Sequence, residues 1–180
     1  MENKKEKLED FKTAISSTVR SLSNSQEIEI SFGNQAIKSS KNSIRLPDLE
    51  QGSNKLNYEK IRAIADSKSL NLRFSDMKTL KKYEPEGNIS KKLYSISEKI
   101  RCEKIGTSYF KGVKKNIEKY YYKRLSGLDL KSSEDKIIES FENYLRIKFL
   151  NFKNEIKIDK RLKPFKKDLN DQFKNRVNEL

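Results

Sequence analysis

The stretch from Arg101 to Val113, RCEKIGTSYFKGV, holds the single cysteine of the chain and with it the first candidate for chemistry. A thiol becomes a nucleophile or a metal ligand only when a neighbour stabilises its thiolate. The usual neighbour is histidine, and the chain has none. That removes a Ser-His-Asp triad, a Cys-His dyad, a histidine general base and every histidine metal site. A lone cysteine also excludes an internal disulfide and a thiolate zinc cluster, which fits a reducing cytoplasm. A helix N-terminus or clustered cations could still lower the pKa of Cys102. The spacing favours burial instead. At about 100° per residue, Ile89, Leu93, Ile96 and Ile100 share one helix face, and Tyr94, Cys102, Ile105 and Tyr109 fall on the opposite one. A helix apolar on two sides lies between other elements. Cys102 is therefore expected in packing, with Gly106 and Gly112 marking a close backbone approach or a break between helices.

Three other stretches invite a chemical reading. EKYYYKRL, residues 118–125, interleaves three tyrosines with Lys119, Lys123 and Arg124, which suits base stacking beside phosphate-binding cations. Consecutive tyrosines on a helix fan over more than half its circumference, however, so one or two of them belong to the core. FGNQ is not a phosphate loop, because the Gly-x-x-x-x-Gly-Lys-Ser/Thr pattern occurs nowhere. ADSKS, residues 65–69, only looks like an Asp-x-Ser-x-Ser metal motif. Carboxylates are plentiful, but no pair stands out against the acidic residues of solvated helix faces. Nothing here argues for catalysis by this chain alone.

The elements that carry these residues are mostly helical. Leu8, Phe11, Ile15, Val19 and Leu22 make one apolar stripe over residues 5–23. Ile28, Ile30 and Phe32 alternate with polar residues as in a half-buried strand that ends at Gly33-Asn34. SIRLP then offers a short partner strand closed by Pro47. Asn57 is a candidate cap for a helix carrying Tyr58, Ile61, Ile64 and Ala65. The pattern resumes, slightly rotated, at Leu70, Phe74, Met77 and Leu80, as one kinked helix or two. EPEGN stops it, and Asn88 or Ser90 begins the next. Ser132 or Ser133 caps a helix with Ile137, Ile138, Phe141, Tyr144, Leu145, Phe149 and Phe152 on its apolar face. Pro164 opens a last stripe of Phe165, Leu169, Phe173 and Val177. The fold class expected is mainly α, a helical domain with a small two-stranded β hairpin at about residues 27–47. Residues 1–125 form the main part, and the amphipathic helices of residues 126–180 continue the same domain.

With 180 residues the chain suits one domain, and 37% of them are charged. The net charge of +14 implies attraction to nucleic acid, an acidic membrane surface or an acidic protein segment, or else lysines that only solvate helix faces. Acidic residues are interleaved with the basic ones nearly everywhere, so no long unmixed basic block exists. The N-terminus, MENKKEKLED, is too charged for a secretory signal, and no apolar run approaches membrane-spanning length. A soluble cytoplasmic protein is expected.

Taken in order, FKTAISSTVRSL, EIEISFG, IRLPD, IRAIADSKSLNLRFSD, EPEGN and KIRCEKIGTSYFKGVKKNI resemble the N-terminal region of the CobT subunit of aerobic cobaltochelatase. The likeness covers about residues 11–125 and fades beyond to helical pattern. Its strongest positions are Arg45 and Pro47 of the RLP turn, Asp66 and Ser67 of ADS with Arg73 downstream, and Arg101, Glu103 and Gly106 of Arg-x-Glu-x-Ile-Gly. Their roles are open. The resemblance implies a part in cobalamin biosynthesis, where the enzyme inserts cobalt(II) into hydrogenobyrinic acid a,c-diamide with ATP hydrolysis. It implies two partners, an AAA+ ATPase subunit and a large corrinoid-binding subunit. The implied complex uses ATP, magnesium and cobalt, none of them held by this chain. The family's acidic linker and von Willebrand A domain have no counterpart here, so no metal-site residue carries over. The expectation is a non-catalytic docking domain. A small basic helical protein binding single-stranded nucleic acid is the alternative reading. An independent cysteine or carboxylate enzyme is the third.

Overall fold

The computed structural model describes residues 2–34, 42–48, 55–127 and 132–152, together with Lys167 and Asp171. Within them the elements run α1 (Glu2–Ser23), β1 (Glu29–Phe32), β2 (Ser43–Leu46), α2 (Lys55–Phe74), α3 (Met77–Lys82), α4 (Asn88–Tyr109), α5 (Lys111–Ser126) and α6 (Ser133–Leu150). The mainly α class with a small two-stranded β element near the N-terminus is therefore what the chain adopts. The stripe beginning at Phe165 lies outside the described residues, apart from Lys167 and Asp171. Cα packing divides the chain into two compact units, residues 1–75 with 105–121, and residues 76–104 with 122–180.

The first unit is built on α1 and α2. The α1 stripe puts Leu8, Ile15 and Val19 into a core with Ile61 and Ala65 of α2. Ile28 and Phe32 join it from the β1 segment and Ile44 and Leu46 from β2. Burying such a side chain contributes about 1.5–3 kcal/mol, so this cluster dominates the unit. Phe11 and Tyr58 close one side edge to face, with centroids 4.7 Å apart. The strands pair in parallel, Ile30 opposite Ile44 and Phe32 opposite Leu46. The expected hairpin would run antiparallel. Alternation reports which face of a strand is buried, not which way its partner runs. The link over residues 33–42 is also too long to impose a tight antiparallel turn. Gly33 starts that link with φ +60, and a Cβ there would meet Asp48 Cβ at 2.8 Å. Glycine is thus required on two counts.

Helix α2 starts at Lys55, so Asn57 lies inside it and does not cap it. The break in its apolar pattern is real. Asp76 caps the separate α3, accepting from the Lys78 amide at 2.9 Å and from Thr79 Oγ1 at 2.7 Å. Gly87, with φ +88, precedes α4. The two glycines beyond Cys102 differ in purpose. A Cβ on Gly106 would sit 2.3 Å from Cδ2 of Leu70, a side chain fully buried in α2. At Gly112 nothing lies within 4 Å, and the helix break falls just before it, at Phe110.

The second unit contains α3, most of α4, the end of α5 and α6. Ser132 caps α6, accepting from the Asp135 amide at 3.0 Å. Its apolar core draws on Ile100 and Cys102 of α4, Leu125 of α5, and Phe141, Leu145 and Leu150 of α6. Phe149, expected on the buried stripe, is 52% exposed.

Gly106→Ala is predicted to lower stability by about 1–3 kcal/mol through overpacking, although alanine gains about 1 kcal/mol in helix propensity. In a Leu70→Ala background the same substitution becomes neutral or stabilising. Denaturant midpoints of the four variants in this cycle measure both effects.

Candidate functional site

The densest grouping of ionisable side chains is buried in the second unit, on a face of α6 that the apolar stripe does not include. Glu139, Glu142 and Arg146 stand three and four residues apart, so one helix face presents all three. Each is buried. Arg146 is held on two sides. Its Nη1 donates to Glu103 Oε2 of α4 at 2.6 Å, and its Nε and Nη2 donate to Glu142 Oε1 at 2.9 and 2.8 Å. Arg124 of α5 donates in a fork to Glu139, Nη1 to Oε1 at 2.6 Å and Nη2 to Oε2 at 2.9 Å. Its Nη2 also reaches Glu142 Oε2 at 3.0 Å. Lys99 of α4 approaches Glu142 at 3.3 Å. Three cations thus answer three carboxylates.

The electrostatics lock Glu142 and Arg146 in their charged forms. Burial alone would raise the pKa of Glu142, but the charges of Lys99, Arg146 and Arg124 outweigh it and hold the carboxyl at about 2. For Arg146 burial acts to lower the pKa, and Glu103 and Glu142 more than offset it, so the guanidinium is raised above its ordinary range. A general acid or base needs a pKa near the working pH. Neither group can exchange a proton there. The network is an internal clamp joining α4, α5 and α6 within this unit.

Cys102 is fully buried, and burial first, then the Glu98 charge, push its pKa up to about 12. At neutral pH it is a thiol, with Sγ 3.6 Å from Glu98 Oε1. The packing expectation holds.

The positions singled out by the sequence serve the same structural end. In the first unit Asp66 has no exposed surface; Asn116 Nδ2 donates to its Oδ2 at 2.8 Å and Arg62 Nε to its Oδ1 at 3.2 Å. Burial raises its pKa against these contacts. Ser67 is half-buried on the adjoining turn. Arg73 donates through Nη1 to the Leu22 carbonyl at 3.2 Å, near the end of α1, and its guanidinium lies 5.5 and 5.7 Å from the Phe74 and Phe110 rings. Arg45 exposes its side chain, while its carbonyl accepts from Lys68 Nζ at 2.7 Å and ties β2 to α2. Pro47 follows, half-buried, at the strand end. In the second unit Glu103 holds Arg146, and Arg101 stands exposed on Glu98, with Nε and Nη2 at 2.7 and 2.8 Å from its carboxylate. The eight positions therefore do not meet at one site within either unit.

Glu139, Glu142, Arg146 and Lys99 were missed by sequence reading, and Arg124, read as a candidate phosphate-binding cation, pairs with Glu139 and Glu142 instead. Charges three and four apart on an amphipathic helix normally mark its wet face, and only a matching charged set on other helices distinguishes a buried stripe. Of the tyrosine run, Tyr121 is in the core and the Tyr122 ring lies 5.9 Å from Phe152. These rings do not form an open stacking platform. Among the described residues no group of three or more cysteine and acidic side chains is placed to hold a metal ion, and no helix is long and apolar enough to cross a membrane.

Removing Arg146 alone takes a cation from two buried carboxylates, Glu103 and Glu142, while Glu142 keeps Lys99 and Arg124. Arg146→Met is predicted to cost about 3–5 kcal/mol in urea unfolding, and adding Glu103→Met recovers about half. The depressed pKa of Glu142 gives a second prediction. Its stabilising contribution is complete above the ordinary carboxyl value of 4.5 and is lost as pH falls towards about 2. Glu142→Gln therefore lowers stability at neutral pH and flattens its dependence between pH 4.5 and 2, as urea midpoints across that range will record.

A family model described as cobalamin biosynthesis protein CobT matches residues 5–141. It takes in all eight sequence-marked positions and, from the clamp, Lys99, Glu103, Arg124 and Glu139, stopping one residue before Glu142. No solved structure matches the chain. With most of its length inside that match, the chain belongs to the CobT family of cobalamin biosynthesis proteins.

Proposed function

We propose that this chain is a non-catalytic N-terminal domain of a cobaltochelatase subunit. On this reading it supports ATP-dependent insertion of cobalt(II) into hydrogenobyrinic acid a,c-diamide by docking other subunits in the cytoplasm. The observation that carries the reading is the family match over residues 5–141, combined with the fate of the positions inside it. Asp66, Glu103 and Gly106 are consumed by internal contacts, and Cys102 is an inert thiol. What the family blocks specify in this chain is a scaffold, so the work falls to its outer surface.

The division of labour on this reading is the one that the resemblance to cobaltochelatase implies. ATP hydrolysis, with its magnesium, belongs to an AAA+ ATPase partner. Cobalt(II) and the corrinoid are substrates held by a large partner subunit. This chain supplies shape and a net charge of +14, which favours encounter with acidic protein surfaces over basic ones.

The purified chain is predicted to bind the ATPase subunit or the corrinoid-binding subunit with low-micromolar affinity or better, measured by biolayer interferometry at physiological salt. Failure to bind either, for a chain with a cooperative melting transition, contradicts the docking role.

A further inference from the structure

The second unit carries an apolar groove of about 390 Å³ between α4 and α6. Ile100, Phe141 and Leu145 form its floor, and Tyr94 and Phe149 stand at its sides. Phe149 is the most anomalous of these, a phenylalanine 52% exposed on a helix whose buried face is partly charged. The lining spans residues 94–104 of α4, about 15 Å at 1.5 Å per residue, or nearly three helical turns. That is an elongated seat of the kind used by an amphipathic helix with anchors three and four residues apart. The lip carries Arg101 and Lys104, both exposed. Glu98, the acidic residue of the lining, is folded in against Arg101, with 13% of its side chain accessible. That ion pair holds Arg101 in place at the lip.

We propose that this groove is the docking site for an acidic amphipathic helix of a partner protein, whose apolar side chains seat between Tyr94 and Phe149 and whose carboxylates face Arg101 and Lys104. The proposal rests on the docking function above and gives it a location. Charge decides the occupant. An isologous contact with a second copy would bring the cationic lip against an identical lip, on a protein whose net charge is already +14. An acidic helix meets both the apolar floor and the basic rim. The Arg-x-Glu-x-Ile-Gly block then divides its work, with Glu103 anchoring α6 from within and Arg101 facing outward.

The test titrates the full chain against the purified ATPase subunit and the purified corrinoid-binding subunit as probes. Variants are Phe149→Asp, Lys104→Glu and, outside the groove lining, the control Lys78→Glu on exposed α3. Binding by the wild type that falls roughly tenfold or more in each groove variant, with the control and the melting temperatures unchanged and with affinity dropping as salt rises, supports the proposal. Wild-type affinity retained by both groove variants overturns the groove while leaving docking intact. Loss in Phe149→Asp alone, without salt dependence, overturns the acidic partner. Sedimentation as a dimer that Phe149→Asp dissociates assigns the groove to self-association and also overturns it. No binding of either probe by the wild type overturns the docking function itself.

Discussion

Arg146 places a guanidinium where almost no water reaches it, and the arrangement of the second unit follows from how that charge is answered. Two carboxylates from different helices close on it, Glu103 from α4 and Glu142 from α6 itself. Glu142 in turn draws in Lys99 and Arg124, and Arg124 draws in Glu139. An isolated buried ion of this size costs several kcal/mol, and the cost is offset only when geometry and hydrogen bonding are both good. Here the short fork contacts supply both. Such a network adds less net stability than a well-packed apolar core, but it is intolerant of misalignment. A slip of α6 by four residues would set Glu142 or Leu150 where Arg146 now sits, leaving Glu103 facing a like charge or an alkyl chain. The clamp fixes the register of α6.

The first unit is stabilised differently. Among the described residues its core is almost wholly apolar, with one buried carboxyl, Asp66, satisfied by Asn116 and Arg62. Small devices tie its elements down. Arg73 meets a late carbonyl of α1, Lys68 ties α2 to the carbonyl of Arg45, and Gly106 lets α4 approach Leu70. Of the family-marked positions, Arg45, Asp66, Arg73, Glu103 and Gly106 thus fall on joints between elements, while Arg101 pairs with Glu98 of its own helix.

How much of this was legible in the sequence differs by the kind of signal. Helix positions were readable because apolar periodicity is local, and the breaks at Gly87 and Ser132 were marked by capping and turn chemistry, whereas the Asp76 cap between α2 and α3 went unread. The two strands were readable from alternation. Their parallel pairing was not, since a period of two carries no direction. The burial of Cys102 followed from two apolar faces on one helix. The burial of Glu139, Glu142 and Arg146 did not, because charges on a helix look alike whether they face water or counter-charges brought from Lys99, Glu103 and Arg124. Phe149 was misassigned for the converse reason: its spacing fits the buried stripe, yet about half of its surface stays exposed. Long-range pairing is the information that one-dimensional pattern lacks.

The central proposal is that this chain contributes a charge-satisfied scaffold and leaves turnover to companion subunits. The most direct measurement is cobalt insertion itself, followed by the change in the corrinoid absorption spectrum. The isolated chain is supplied with cobalt(II), hydrogenobyrinic acid a,c-diamide, ATP and magnesium. No insertion above the protein-free background is predicted for the chain alone. Multiple turnovers by the chain without any companion subunit would contradict the account.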